Sequence, residues 1–176
     1  MTDLVKFHAD VNELYQGLVK NALEFVGHEA EVEKVFVYGD MEGSYSCFFL
    51  YAYLGDIYDE SAIADARGYS PQQSREKSTL AKSNSNEKLI TLQGLFTAAG
   101  QEPPKSIKLT YDVKKRSLDA ELSHVKVRTQ TYYMSDVEER WRAELRLAAG
   151  LITEEELPGP PQHRAVSDKE YEKSFR

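Results

Sequence analysis

Carboxylates and aromatic side chains are concentrated in one stretch of the chain, residues 29–65. This stretch contains nine acidic residues and one basic residue, Lys34, so its net charge is −8, whereas the whole chain carries −7. Eight of the 19 aromatic residues lie between Phe36 and Tyr58. Acids beside tyrosines suit the binding of a basic protein surface, because carboxylates can replace phosphates and tyrosine supplies rigid contact area. Since such a surface repels nucleic acid, we expect no direct nucleic-acid partner.

The residues that we expect to bind a partner belong to the strands and turns of this stretch. They are Tyr38, Asp40, Glu42, Tyr51, Tyr53, Asp56, Tyr58, Asp59 and Glu60. A plainer interpretation is that the acids only keep the protein soluble and that the tyrosines pack under a helix. Composition alone leaves both interpretations open.

Other residue types that could do chemistry are few and scattered. The histidines His8, His28, His124 and His163 lack metal-ligand spacing, and the single cysteine, Cys47, lies in an apolar run typical of a buried strand. The acids lack the regular spacing of a calcium loop, and no glycine-rich loop opens a helix as a phosphate site requires. We therefore expect no enzyme activity, no metal and no cofactor, although two of the 29 acids could still meet as a catalytic pair.

Hydrophobic spacing predicts three helices that would support these residues. Apolar residues recur at steps of three and four in the segments 3–26, 87–99 and 136–149. Thr2 or Asp3, then Asn86 and Ser135, are suitable N-caps for these helices. Gly27 is a suitable C-terminal stop for the first helix.

Alternating and β-branched runs predict two antiparallel hairpins. The predicted strands are 33–38, 44–54, 107–113 and 118–122, and the predicted turns are 39–43 and 114–117. In the 44–54 strand we expect the face with Phe48 and Leu50 to lie in the core. We expect the opposite face, with Tyr51 and Tyr53, to lie at an edge or an interface, since tyrosine hydroxyls need partners.

These elements predict an α+β fold in a single domain, residues 1–157. Its antiparallel sheet of at least four strands would pack against the N-terminal helix and two further helices on one face. Residues 55–85 show no clear hydrophobic pattern and contain loop-forming residues at 68–74 and from 83 onward, so they are predicted to be a long loop insertion. Residues 158–176 are predicted to be a charged, proline-containing tail. We expect no membrane span and no signal peptide, and hence a cytoplasmic protein.

The order of motifs over residues 3–156 resembles the YezG-like antitoxins, a family of immunity proteins for secreted bacterial nuclease toxins. The motifs that carry the resemblance are Glu33–Tyr38, Gly39–Gly43, Cys47–Tyr53, Leu95-Phe96, Glu102-Pro103, the hairpin 106–123, Tyr132-Tyr133, Trp141 and Gly150–Glu156. The 55–85 segment lacks the family's usual Pro-Lys-Tyr-Asn element, and the second helix is less acidic than is typical of the family.

The resemblance implies a non-catalytic protein that binds a cognate toxin domain, commonly a nuclease, and neutralises it. Combined with the charge pattern, it predicts that carboxylates and tyrosines occlude a basic catalytic groove of the toxin. Two alternatives remain open at this point. One is a regulatory adaptor that binds another basic protein, and the other is an enzyme with a carboxylate site assembled by the fold.

Overall fold

The chain forms one antiparallel sheet with helices on both of its faces. The computed structural model describes residues 3–27, 31–128 and 132–159. The elements in chain order are α1 (Leu4–Val26), β1 (Val32–Asp40), β2 (Ser46–Tyr53), β3 (Asp56–Asp59), α2 (Glu60–Ala66), α3 (Pro71–Ala98), β4 (Ser106–Asp112), β5 (Ser117–Ser123), α4 (Met134–Ala148) and a short 3-10 helix (Glu154–Glu156).

The sheet has five strands in the order β3-β2-β1-β4-β5, so the predicted α+β class and both predicted hairpins are confirmed. The strand β3, which lies within the predicted 55–85 loop, is an addition to the prediction. The first turn is shifted relative to the prediction. Because β1 continues to Asp40, which lies opposite Ser46, the turn consists of residues 41–45 rather than 39–43.

Both faces of β1 and β2 are buried, which gives the molecule two apolar cores. One core lies under α1 and α3 and includes Val35, Val37 and Phe49. The other lies under α4, where Trp141 contacts Phe36 edge-on, with ring centroids 5.8 Å apart. The expectation that the two further helices, now α3 and α4, pack on one face is therefore wrong. Successive residues of β1 and β2 are apolar, so both faces of these strands must be buried under helices.

The N-terminal helix matches the prediction closely. Asp3 Oδ1 accepts hydrogen bonds from the Val5 and Lys6 backbone N–H groups at 3.0 and 3.3 Å, so it acts as the N-cap. Gly27 ends the helix in the left-handed region with φ of 80°, a conformation that costs glycine little. The apolar stripe from Phe7 to Phe25 faces the first core.

The predicted loop 55–85 is wrong, because this segment contains β3, α2 and the first half of α3. Ser70 caps α3 by accepting the Gln73 N–H at 3.1 Å, with Pro71 at the first helical position. Asn86, the predicted N-cap, therefore lies inside the helix. The buried stripe of α3 begins with Ala81 and Ser85, which are too small and polar to give the apolar periodicity that identifies a helix.

Close contacts fix α3 against α1 and the sheet. The Asn21 amide donates a hydrogen bond to Ser85 Oγ at 3.1 Å, and both residues are buried. A Cβ at Gly39 of β1 would lie 2.7 Å from Leu89 Cδ2, so the helix rests directly on the strand backbone there. These contacts hold α3 in a position from which its first turns reach β3 and α2.

The helix α4 begins slightly earlier than predicted. Its N-cap is Tyr133 rather than Ser135, and Asp136 Oδ2 accepts the Tyr133 backbone N–H at 2.7 Å. Past the short 3-10 helix, the Pro158 carbonyl accepts a hydrogen bond from Arg140. Most of the predicted tail, residues 160–176, lies outside the described residues. None of the helices that the structure describes is long and apolar enough to cross a membrane.

Candidate functional site

The nine sequence-predicted site residues fall into three separate environments. Tyr38, Tyr51 and Tyr53 are core residues of the sheet, and Asp40 and Glu42 are buried at the β1–β2 turn. The remaining four, which are partly exposed, lie along β3 and at the start of α2; they are Asp56, Tyr58, Asp59 and Glu60. The fold therefore does not bring the nine residues together on one surface.

The three buried tyrosines are structural residues. Tyr51 donates a hydrogen bond to the Ala22 carbonyl at 2.8 Å, and burial raises the pKa of its hydroxyl well above the usual value. Tyr38 stacks on Phe48 under α4, with ring centroids 5.0 Å apart. The expectation that Tyr51 and Tyr53 point to an interface is wrong, because α1 and α3 cover that face of the sheet.

The two acids of the β1–β2 turn are buried in a polar cluster that holds the chain after β5. Asp40 accepts the Glu42 N–H at 2.8 Å and forms an ion pair with Arg128. The Glu42 carboxylate accepts the backbone N–H groups of Val127 and Arg128 at 3.1 and 3.2 Å. Asp40 and Glu42 were expected to face a partner, but they are buried. Their oxygens accept hydrogen bonds from the protein's own backbone. Burial raises the pKa of Asp40 to about 6, although the Glu42 N–H and Arg128 both act to lower it.

The outer side of β3 is held by arginines of α4. Arg146 Nε lies 3.0 Å from Asp56 Oδ1, and Arg142 Nε donates to the Ile57 carbonyl at 2.8 Å. Arg142 also lies near Asp59, at 3.8 Å between the charged atoms. This edge strand has only four residues, and guanidinium groups occupy its outer side.

Acidic side chains converge in a groove where β3, α2, α3 and α4 meet. We call it the acidic groove. It has a volume of about 530 Å³, and its charged lining residues are Asp59, Glu60, Asp65, Arg75, Lys82 and Glu138. Four of these residues are acidic and two are basic, so the groove carries excess negative charge when all of its carboxyls are ionised.

Glu60 lies at the base of the acidic groove and is held from several sides. Its carboxylate lies 3.3 Å from Lys82 Nζ and accepts hydrogen bonds from Ser78 Oγ at 3.3 Å and the Phe49 N–H at 3.4 Å. Burial raises its pKa, while Lys82 acts in the opposite direction. Asp59, next to it, accepts the Ala62 N–H at 2.7 Å as the N-cap of α2.

Glu138 of α4 is the carboxyl with the least compensation in the acidic groove. It has no hydrogen bond or ion pair to any residue that the structure describes. Burial raises its pKa to about 7, and the charges of Glu60 and Asp59 add to the rise, against the opposing effects of Lys82 and Arg142. A positive charge placed beside Glu138 would favour its ionised form.

Sequence analysis identified Asp59 and Glu60 but missed Asp65, Glu138 and the lysine and arginine beside them. Glu138 lies on α4, far along the chain, and the predicted helix 136–149 placed it in a first turn, where an acid has an ordinary role near the helix dipole. Nothing in its local sequence distinguishes it from Glu139. Within the described ranges, no three His, Cys, Asp or Glu side chains are placed so that they could hold a metal ion.

A scan against protein-family models finds no match for this chain, and a search of curated proteins finds none either.

Proposed function

We propose that this chain is a non-catalytic binding protein that neutralises a basic toxin domain, of the kind that degrades nucleic acid. The observation that carries the proposal is the acidic groove, in which Glu138 lies unpaired, among the described residues, beside Glu60 and Asp59. A nuclease presents lysines and arginines where it binds phosphates. Carboxylates at the right spacing can occupy those side chains in place of the substrate.

The proposed mechanism is occlusion without chemistry. A lysine or arginine of the toxin enters the acidic groove and pairs with Glu138. The positive charge of this side chain keeps the Glu138 carboxyl ionised. The exposed acid Asp65, at the rim, acts on the rate of encounter, whereas the half-buried Glu138 acts on dissociation. The resemblance to immunity proteins of nuclease toxins supports the same direction of inference.

The experiment compares two double variants with the same change in net charge. Asp65→Asn with Glu138→Gln neutralises the acidic groove, and Glu13→Gln with Glu87→Gln neutralises exposed acids on the outer sides of α1 and α3. Each protein is co-expressed with the nuclease-type toxin domain encoded beside its gene. Growth of the cells and the association rate of the purified proteins are measured.

We expect the groove variant to associate at least about tenfold more slowly and to protect cells poorly, while the α1/α3 control behaves like the wild type. Added salt should slow the wild type more than it slows the groove variant. If the two double variants protect equally well, the acidic groove is not the toxin site. If neither the wild type nor any variant protects the cells, the chain is not an immunity protein for that toxin. This result would favour the alternative of a regulatory adaptor that binds another basic protein.

A second candidate function rests on the pKa of Glu138, which at about 7 is in the range suited to a general acid. With Glu60 in the same groove, it would form the carboxyl pair of a hydrolase. This candidate predicts turnover of chromogenic glycosides that Glu138→Gln abolishes. Binding of toxin without any turnover favours the non-catalytic proposal.

A further inference from the structure

The strand β5 forms the second edge of the sheet and differs from the edge at β3. Among the described strands only β4 pairs with it, so one side of its backbone is open along seven residues. That length corresponds to about 20 Å of strand. On β3, Arg142 donates a hydrogen bond to the Ile57 carbonyl. No described side chain forms such a hydrogen bond with the outward-facing backbone groups of β5.

The two faces of β5 have different chemistry. Its register with β4 places Leu118 opposite Tyr111 and Leu122 opposite Ile107, on the side of α1 and α3. On this side a groove of about 710 Å³ runs between α1 and the β4–β5 hairpin, with Leu118 in its wall. The other face carries the exposed acids Asp119 and Glu121, which have no ion pair within the described residues.

The acids of β5 argue against a second copy of this chain on the open edge. Two copies related by a twofold axis would pair their β5 strands antiparallel, and the most apolar register is centred on Ala120. In that register Asp119 of one copy lies directly opposite Glu121 of the other, twice. Like charges in directly opposed positions destabilise a strand pair, and charged edges commonly prevent such pairing.

We propose that the open edge of β5 receives an extended segment of a partner protein in which apolar and basic residues alternate. The backbone of this segment would continue the sheet. Its apolar side chains would extend the strip formed by Leu118, Ala120 and Leu122, and its basic side chains would pair with Asp119 and Glu121. The turn directly before β5 carries Lys114, Lys115 and Arg116, which would repel basic side chains of a segment that extended past Ser117.

This inference is independent of the proposed neutralisation of a toxin. It concerns the edge of the sheet opposite to β3, its residues do not line the acidic groove, and its test needs no toxin. The failure of one proposal therefore leaves the other unaffected.

The test uses a fluorescent seven-residue peptide, Lys-Val-Lys-Val-Lys-Val-Lys, blocked at both ends, and the full chain. The reference peptide, Lys-Lys-Val-Val-Val-Lys-Lys, has the same composition without alternation. We expect the alternating peptide to bind at least about tenfold more tightly than the reference. Asp119→Lys with Glu121→Lys should remove this preference, whereas the matched reversal Glu13→Lys with Glu87→Lys on exposed helix positions should keep it. Equal binding of the two peptides, or a preference that survives the β5 reversal, would overturn the proposal.

Self-association gives a second and independent readout. In the register centred on Ala120, the single variant Asp119→Lys turns both like-charge contacts into opposite-charge contacts. The double reversal Asp119→Lys with Glu121→Lys restores repulsion with the opposite sign. Sedimentation should therefore detect dimers of the single variant at concentrations at which the wild type and the double variant are monomers.

Two outcomes would assign the edge to another occupant. A wild-type dimer that the β5 reversal alters would show that a second copy occupies it. Peptide binding that appears only after removal of residues 160–176 would show that the chain's own C-terminal segment occupies it. Either result would overturn the proposal of a partner segment.

Discussion

Two regions of the acidic stretch look alike in sequence, but the fold uses them in opposite ways. At the β1–β2 turn, Asp40 and Glu42 are buried and their oxygens bind backbone N–H groups and Arg128. At β3 and α2, Asp59 and Glu60 lie at the wall of an open groove and meet a further carboxyl, Glu138. Acids of the first kind hold the fold together, while those of the second kind keep charge that a partner can use.

The difference follows from how many donors each carboxylate meets. Glu42 accepts two backbone N–H groups that no strand would otherwise satisfy, so its charge is compensated inside the molecule. Glu138 is partly buried and lies near the charges of Glu60 and Asp59, so its ionised form is poorly compensated. Net charge along the sequence therefore overstates the acidic surface at the turn and understates it at the groove.

The largest effect is expected at the turn. Glu42→Ala removes the carboxylate that accepts the partly buried Val127 and Arg128 N–H groups and that holds the chain after β5, so it should lower the free energy of unfolding by about 3 kcal/mol. Urea denaturation measures the change. Glu33→Ala is the matched control, since this acid of β1 is exposed and its loss should cost no more than about 0.5 kcal/mol. Equal effects of the two variants would remove the distinction between the turn and the rest of the stretch.

Local signals in the sequence were sufficient for some elements of this fold. The spacing of Phe7, Val11 and Leu18, with Asp3 before them and Gly27 after the helix, predicts α1 almost to the residue. The alternation of Ile107 and Leu109 predicts β4 and its hairpin. In these elements propensity, capping and burial all favour the same structure.

Other features depend on contacts that no local pattern reports. The first half of α3 is polar on most sides, and the helix is fixed on the fold where Ser85 contacts Asn21 and Leu89 packs on Gly39. Tyr51 and Tyr53 of β2 resemble interface residues in the sequence, but α1 and α3 cover them in the fold. Glu138 meets Glu60 only through the docking of α4 on the far face of the sheet, which depends on the tertiary arrangement.

A smaller effect, of opposite sign, is expected in the acidic groove. Because the pKa of Glu138 is raised from 4.5 to about 7, the wild type should lose stability relative to Glu138→Gln as the pH rises through this interval. Below pH 4.5 the carboxyl is protonated in both the folded and the unfolded chain, so the two proteins should be nearly equal. At pH 8 the variant should be more stable by about 1 kcal/mol, a value reduced for the partial exposure of the side chain.

Urea denaturation of both proteins at pH 4.5 and pH 8 measures this difference, with Glu139→Gln as the control on the exposed side of α4. The pKa of Asp40 is also raised, so its ionisation also lowers the free energy of unfolding as the pH rises. This contribution is the same in both proteins and cancels in the comparison. A stability difference that is the same at the two pH values would mean that Glu138 is well compensated, and that the acidic groove resembles the turn.

The smallest effect is expected for the pair between Asp56 and Arg146, which stands between the two extremes. It joins β3 to α4 as Arg128 joins the turn to the chain after β5, but its side chains are 40% and 34% exposed, whereas Asp40 is fully buried. Water competes for an exposed pair, so a double-mutant cycle with Asp56→Asn and Arg146→Gln should give a coupling energy of about 0.5 kcal/mol. The coupling should weaken strongly in about 1 M salt, because the screening length is then about 3 Å, comparable to the separation of the two exposed charges. A coupling above about 2 kcal/mol that persists in salt would place the Asp56 end of the acidic stretch with the buried turn, whose acids bind groups within the fold.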